Sequence, residues 1–209
     1  MTSGIHQLTI GDIEILVDKV GGVENALSII KGDVQVQTVE VLAPFDTIES
    51  GAFSTREIQV GTHKREYLLA TLLSSRDFDT HEHVEEMINQ SHFEVSSTRR
   101  TVTLVVPTVE ALGFKVPTPP SEIFQRAKDL ELKRCSIEEA LQLRLEYWNQ
   151  APGTGQRMIV AMKPLKGPNG KMSVFTVERE HNGLPLLGVQ ACTSYEKFDL
   201  SSRFVFVRP

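Results

Sequence analysis

The chain of 209 residues carries 27 acidic against 22 basic residues, a net charge of -5, with 40% hydrophobic and 23% charged positions. That balance excludes an intrinsically disordered chain, and at this length folding buries roughly 70% of the unfolded surface, so a core needs neither metal nor disulfide. It also excludes binding of duplex nucleic acid through the global field; such a ligand needs a local basic patch, for which the sequence offers Arg99, Arg100 and scattered lysines.

Two cysteines, Cys135 and Cys192, allow at most one bridge. An acidic chain of this kind places them as free, buried thiols in a reducing compartment. The opening MTSGIHQLTIGDIE lacks a basic stretch followed by a long apolar run, and no segment reaches the ~18 consecutive apolar residues of a membrane helix. The expectation is a cytoplasmic protein with no membrane partner.

In chain order, Thr9 and Asp12 fit a capping box, and Ile13, Leu16, Val17 and Val20 follow at helical spacing. Gly21 and Gly22 break that helix, and Val23, Ala26, Leu27 and Ile30 predict a second one before Gly32. Two short helices around a glycine turn invite a helix-turn-helix reading, but the second presents Glu24, Asn25, Ser28 and Lys31 outward. A recognition helix ordinarily offers Arg, Lys, Asn or Gln to the nucleic acid. Residues 34–42 predict a strand with a bulge near Thr38, and residues 43–55 read as a connector. The expected organisation is an N-terminal helical hairpin plus strand over residues 1–45 and a main α+β domain over residues 56–209.

After a short strand at residues 57–60, Thr62 is placed to cap a helix carrying Leu68, Leu69, Leu72 and Leu73. Asp79 or Thr80 then opens a helix with Val84, Met87 and Ile88 inward and Glu82, Glu85 and Glu86 outward. The β-branched run at residues 101–106, ended by Pro107, predicts a buried strand, and residues 108–113 one helical turn. Thr118 and Pro119 start a helix whose inner face is Ile123, Phe124, Ala127 and Leu130. Downstream, apolar runs at residues 158–162, 172–177, 184–191 and 203–207 are separated in part by Asn169-Gly170 and Asn182-Gly183 turns. They predict a C-terminal antiparallel sheet of about four strands, a meander.

Between these parts lies SIEEALQLRLEYWNQ, residues 136–150. Ser136 and Glu139 form a capping box, and Ile137, Ala140, Leu141, Leu145 and Trp148 share a helical face. Leu141, Leu143, Leu145 and Tyr147 also alternate as a strand would, although the cap favours helix to about Leu143. Arg144 stands among apolar neighbours with Glu146 close behind, so an internal ion pair competes with an anchor for an anionic ligand. The candidate ligand-binding residues are Arg144, Tyr147, Gln150 and Arg203.

His81 and His83 fall in Asp79-x-His-x-His, the pattern by which some amidohydrolases present two imidazoles to a metal. In a helix beginning at residue 79 the two rings would point in different directions, and the preceding residues do not read as a barrel strand. Gly153-Thr154-Gly155 resembles a phosphate loop, but a strand rather than a helix follows it. No nucleophile, base and orienter set is evident, no catalytic residue is assigned, and no cofactor is implied.

From about Glu57 onward the chain resembles a family of uncharacterised bacterial proteins. The matching segments run in order: residues 58–62, 102–106 with 110–114, 123–127 with Leu132 and Cys135, and 142–147 with Gln150 and Pro152. Residues 159–164 and 204–208 follow. Arg157 and the Trp-poor loop 193–202 depart from the family's pattern. The resemblance implies no activity, cofactor or catalytic residue. The expected function is therefore a non-catalytic binding or interaction protein, with a protein partner. A nucleic-acid-associated protein using the N-terminal helix pair and a metal-dependent hydrolase using His81 and His83 are the alternatives.

Overall fold

The computed structural model describes residues 53–74, 79–91, 93–147, 157–167, 170–179 and 184–209. The expected N-terminal hairpin, the strand at 34–42, most of the connector, Trp148 and Gln150 lie outside the described residues. The described part mixes α and β elements. Eight strands form one sheet in the order β1-β3-β8-β4-β6-β7-β2, with β5 paired to β6 beside this path.

Strand β1 (Ser54–Val60) pairs antiparallel with β3 (Arg100–Val106) over all seven residues. It starts earlier than the apolar pattern alone indicates because β3 offers a partner at every position. Gly61 ends β1 at φ +71, where a Cβ would come within 2.1 Å of Thr98 O, so only glycine fits. Helix α1 (Arg65–Ser74) buries Leu68 and Leu72. Thr62 does not cap it through any described contact; its hydroxyl meets His63 Nδ1 at 2.8 Å.

The next helix begins later than expected. Asp79 and Thr80 form β2 (Asp79–Thr80), and α2 (Glu82–Ser91) follows with Val84, Met87 and Ile88 buried and its glutamates exposed. Parallel pairing of β2 with β7 draws these two residues into the sheet and away from the helix. Helix α3 (Pro120–Asp129) starts at its proline pair, with Pro119 at the cap and Pro120 in the first turn, where a missing N–H costs nothing. Helix α4 (Ile137–Glu146) is the capped segment of the central stretch.

The C-terminal strands are β4 (Met158–Val160), β5 (Leu165–Lys166), β6 (Met172–Arg179), β7 (Pro185–Ala191) and β8 (Arg203–Arg208). β6 is antiparallel to β4, β5 and β7. β8 does not extend the meander; it inserts between β3 and β4, antiparallel to the first and parallel to the second. Phe204, Val205 and Phe206 are all buried, so this strand hides both faces, as its unbroken apolar run allows. Phe204 and Phe206 share one face, where Phe124 of α3 meets both rings edge-on at 6.2 and 6.4 Å.

Helix α4 organises the sheet. Residues from Glu138 to Arg144 are buried on every side. Its carboxylates take one N–H of β1 and one of the loop beyond: Glu146 Oε1 accepts from Gln59 N at 2.9 Å and Glu138 Oε1 from Gly61 N at 2.7 Å. Glu138 Oε2 accepts from Ser96 N at 2.8 Å. The other end of the sheet also reaches this helix, since Arg144 donates to Glu178 of β6 and Leu186 of β7. Laid flat, β1 and β7 would stand five strand spacings apart, about 24 Å, twice the ~10–12 Å width of a helix. The sheet therefore curves around α4, and the edge N–H of Gln59 in β1 is taken by the helix instead of being left open to another strand.

Candidate functional site

Of the residues singled out in the sequence, Arg144 and Tyr147 sit at the C-terminal end of α4. Arg144 is 0% exposed and Tyr147 5%. The Arg144 guanidinium donates to Tyr147 O, to Glu178 O at 2.7 Å and, at 3.5 Å, towards Leu186 O. Arg56 of β1 donates to Glu146 O at 2.7 Å and lies 4.4 Å over the Tyr147 ring. Two arginines thus satisfy the terminal carbonyls of a buried helix that ends without glycine, at the negative pole of its dipole.

Burial, followed by the opposing influence of Tyr147, brings the Arg144 guanidinium down to about 9, still charged at neutral pH. Glu146, the expected ion partner, turns its carboxylate to Gln59 N and Gln142 Nε2. Arg203 opens β8 beside Met158 and Thr108. Arg144 and Tyr147 thus share the end of α4, Arg203 stands at the start of β8, and Gln150 lies outside the described residues.

The two histidines are closer than the helical expectation placed them. His81 precedes α2 in a cap position, its Nδ1 accepting from His83 N at 3.3 Å. The rings are 5.1 Å apart, and His83 Nε2 lies 3.3 Å from Glu82 Oε1. Among the described residues no group of three His, Cys, Asp or Glu side chains is placed to hold a metal ion.

A different set of residues builds the largest opening described. A cleft of about 650 Å³ runs along α3, with Phe124, Leu132, Pro164 and Phe206 as an apolar floor and Cys192, Thr193 and Ser194 on the far wall. Lys128, Lys133 and Arg134 line it, and none of its described lining residues is acidic. The Arg134 guanidinium lies 5.7 Å from the Phe124 ring centroid, a cation-π contact that holds the charge over the apolar floor.

Local chain geometry explains this placement. Leu130 ends α3, and Glu131 then adopts φ 61, a left-handed conformation usually left to glycine. That turn sends Leu132 N back to Ala127 O and lays Lys133 beside Val207 through reciprocal hydrogen bonds of 2.9 and 2.8 Å. Lys133 and Arg134 are thereby fixed as a ridge. On its far side a second groove of about 450 Å³ is lined by Arg100, Glu139, Arg208 and the same two cations. Glu139 pairs with Arg100 across 3.1 Å, so among the lining side chains of this groove Lys133, Arg134 and Arg208 are the remaining charges.

No family model, curated protein or solved structure matches the chain. What the cleft can do follows from its chemistry. Its volume is that of a small-ligand pocket, about 300–1,000 Å³, with the usual apolar lining and a few polar groups. Burial, then Glu196, pushes the Cys192 thiol up from 9.0 to about 11, with Arg134 pulling the other way, so at neutral pH it is a protonated apolar wall and not a nucleophile. The hydroxyls of Ser121, Thr193 and Ser194 have no histidine or carboxylate beside them among the described lining residues. The arrangement suits recognition of an anion that also carries an apolar group.

Sequence reasoning missed this site because its parts are distant in the chain. The nearest thing to a signal is the run from Lys128 to Arg134, KDLELKR, whose interleaved acids make it read as balanced. Asp129 is held on the helix surface by Gln125 Nε2 at 2.8 Å, and neither Asp129 nor Glu131 lines the cleft.

Proposed function

We propose that this chain is a binding protein whose recognition site is the cleft along α3, and that it takes a ligand combining an apolar or aromatic body with negative charge. The observation that carries this is the convergence of Lys128, Lys133 and Arg134 over a floor of Phe124, Leu132 and Phe206, in a protein whose overall charge is negative. Low-dielectric walls focus such a local field, so the cleft attracts anions that the rest of the surface repels. The cytoplasm is the setting we propose, a reading supported by two buried free thiols. Membership of the bacterial family that residues 57–208 resemble belongs to the same proposal. Among the described residues no helix is long and apolar enough to cross a membrane.

Fluorescence titration with 8-anilinonaphthalene-1-sulfonate, an aromatic sulfonate, tests the cleft. Saturable binding at one site is expected on the native protein, with at least tenfold loss in Arg134→Glu and in Lys128→Glu and weakening by salt. Near-UV circular dichroism identical to the parent establishes that both variants are folded. Binding that does not saturate, or that both folded variants keep, overturns the assignment.

A further inference from the structure

The ridge of Lys133 and Arg134 belongs to two openings at once, which makes the cleft and the second groove two parts of one track. Along that track the chemistry changes. The first part is apolar beneath its cations, whereas the second has Thr101, Thr103, Lys133 and Arg208 along its walls. An occupant that fills both must place an apolar group in the cleft and carry negative charge across the ridge towards Arg208.

We propose that this occupant is an acidic peptide segment of a partner protein, which seats one apolar or aromatic side chain on the cleft floor and lays flanking carboxylates against Lys133, Arg134 and Arg208. This rests on the cleft reading above and adds to it the class of ligand and the second groove. Charge complementarity argues for it: the ridge and Arg208 are exposed cations, and Glu139, the one acidic side chain among the groove's described lining residues, is already held by Arg100. Arginine and lysine clusters are the usual readers of acidic motifs, and side-chain pockets beside them supply the specificity.

A single-stranded nucleic acid fits less well. Stacking of successive bases requires a series of open aromatic faces, whereas the floor offers one partly exposed ring, Phe124, enough for a single side chain, since Phe206 is 1% exposed. A net charge of -5 also opposes a long polyanion more than a short peptide.

Fluorescence anisotropy with labelled synthetic peptides of glutamates around one central phenylalanine or leucine tests the proposal on the full chain. Glutamine-substituted peptides and a labelled single-stranded oligonucleotide run alongside. The acidic peptide is expected to bind at least tenfold tighter than its glutamine form and tighter than the oligonucleotide. Arg208→Glu, which lies only in the second groove, is expected to weaken the peptide at least fivefold and to spare the aromatic sulfonate, whereas Arg134→Glu weakens both. Sulfonate binding without peptide binding, or peptide binding indifferent to Arg208→Glu, overturns the peptide inference and leaves the cleft standing. An oligonucleotide that binds tighter than the peptide overturns it in favour of nucleic acid. Loss of the sulfonate site on the native protein overturns the cleft, and the peptide inference with it.

Discussion

Arg144 separates a structural from a ligand-binding use of the central helix, and Arg144→Met is the informative substitution. Methionine keeps much of the stem's volume and stays apolar, so it removes the guanidinium without opening a large cavity. Tyr147 O and Glu178 O, at the end of α4 and in β6, then lose a charged donor. A hydrogen bond from a charged donor contributes about 1.5–3 kcal/mol, and two of them about 3–6 kcal/mol. Relief of the guanidinium's own desolvation offsets part of this, which leaves an expected loss of about 2–4 kcal/mol. Against a total stability of about 5–15 kcal/mol for a domain, that loss is large but survivable. Urea denaturation reads it as a lowered midpoint with an unchanged slope. Binding of the aromatic sulfonate should be unchanged, because Arg144 does not line the cleft. A midpoint equal to the parent's, or sulfonate binding lost at full stability, would refute the structural assignment.

Glu131→Gly removes the left-handed strain of about 1–2 kcal/mol, offset by the backbone entropy of glycine, for a net gain of up to about 1 kcal/mol in the same denaturation assay. A loss of stability would mean that the Glu131 side chain makes a contact outweighing the strain. Cys192, with its thiol raised from 9.0 to about 11, holds about a hundredfold less thiolate at pH 8 than a free cysteine. Its alkylation by iodoacetamide, followed by peptide mass mapping on the native protein, should start low at pH 8, rise about tenfold per pH unit and level off only near pH 11. Because the folded state binds this proton more tightly, the associated stability is full below pH 9 and lost between pH 9 and about 11. Rapid alkylation at pH 8 of folded protein would contradict the buried placement.

The elements most legible in the sequence are those whose determinants are local. Ser136 and Glu139 are three residues apart, and the capping box they announce is present in both directions, with Ser136 N donating to Glu139 Oε2 at 2.6 Å. Val84, Met87 and Ile88 fall inward because helical spacing is an intrinsic property of the chain. Strand order is not local. The Phe204-Val205-Phe206-Val207 run announces a strand, but nothing in it names β3 and β4 as neighbours, so placing it on the end of a meander was the shorter connection and not the observed one. Its continuous apolarity was the available clue, since a strand at an exposed end has little reason to be apolar on both faces.

Charged residues are harder to read because an ionisable group near an apolar run has several ways to be satisfied. Arg144 and Glu146 suggest each other by proximity, yet two residues apart on a helix they point about 200° from one another, and each finds backbone groups of the sheet instead. The same geometry works in reverse at the cleft. Lys128, Lys133 and Arg134 look neutralised by Asp129 and Glu131 when counted along the chain, but the turn at Glu131 sorts the signs by direction, sending the cations to the ridge and leaving the acids off the lining. Lys128 owes its place to α3, whereas Lys133 and Arg134 owe theirs to the turn at Glu131 rather than to composition. Substituting a lysine therefore subtracts one charge from the site, whereas altering the turn displaces Lys133 and Arg134 together and leaves Lys128 on its helix.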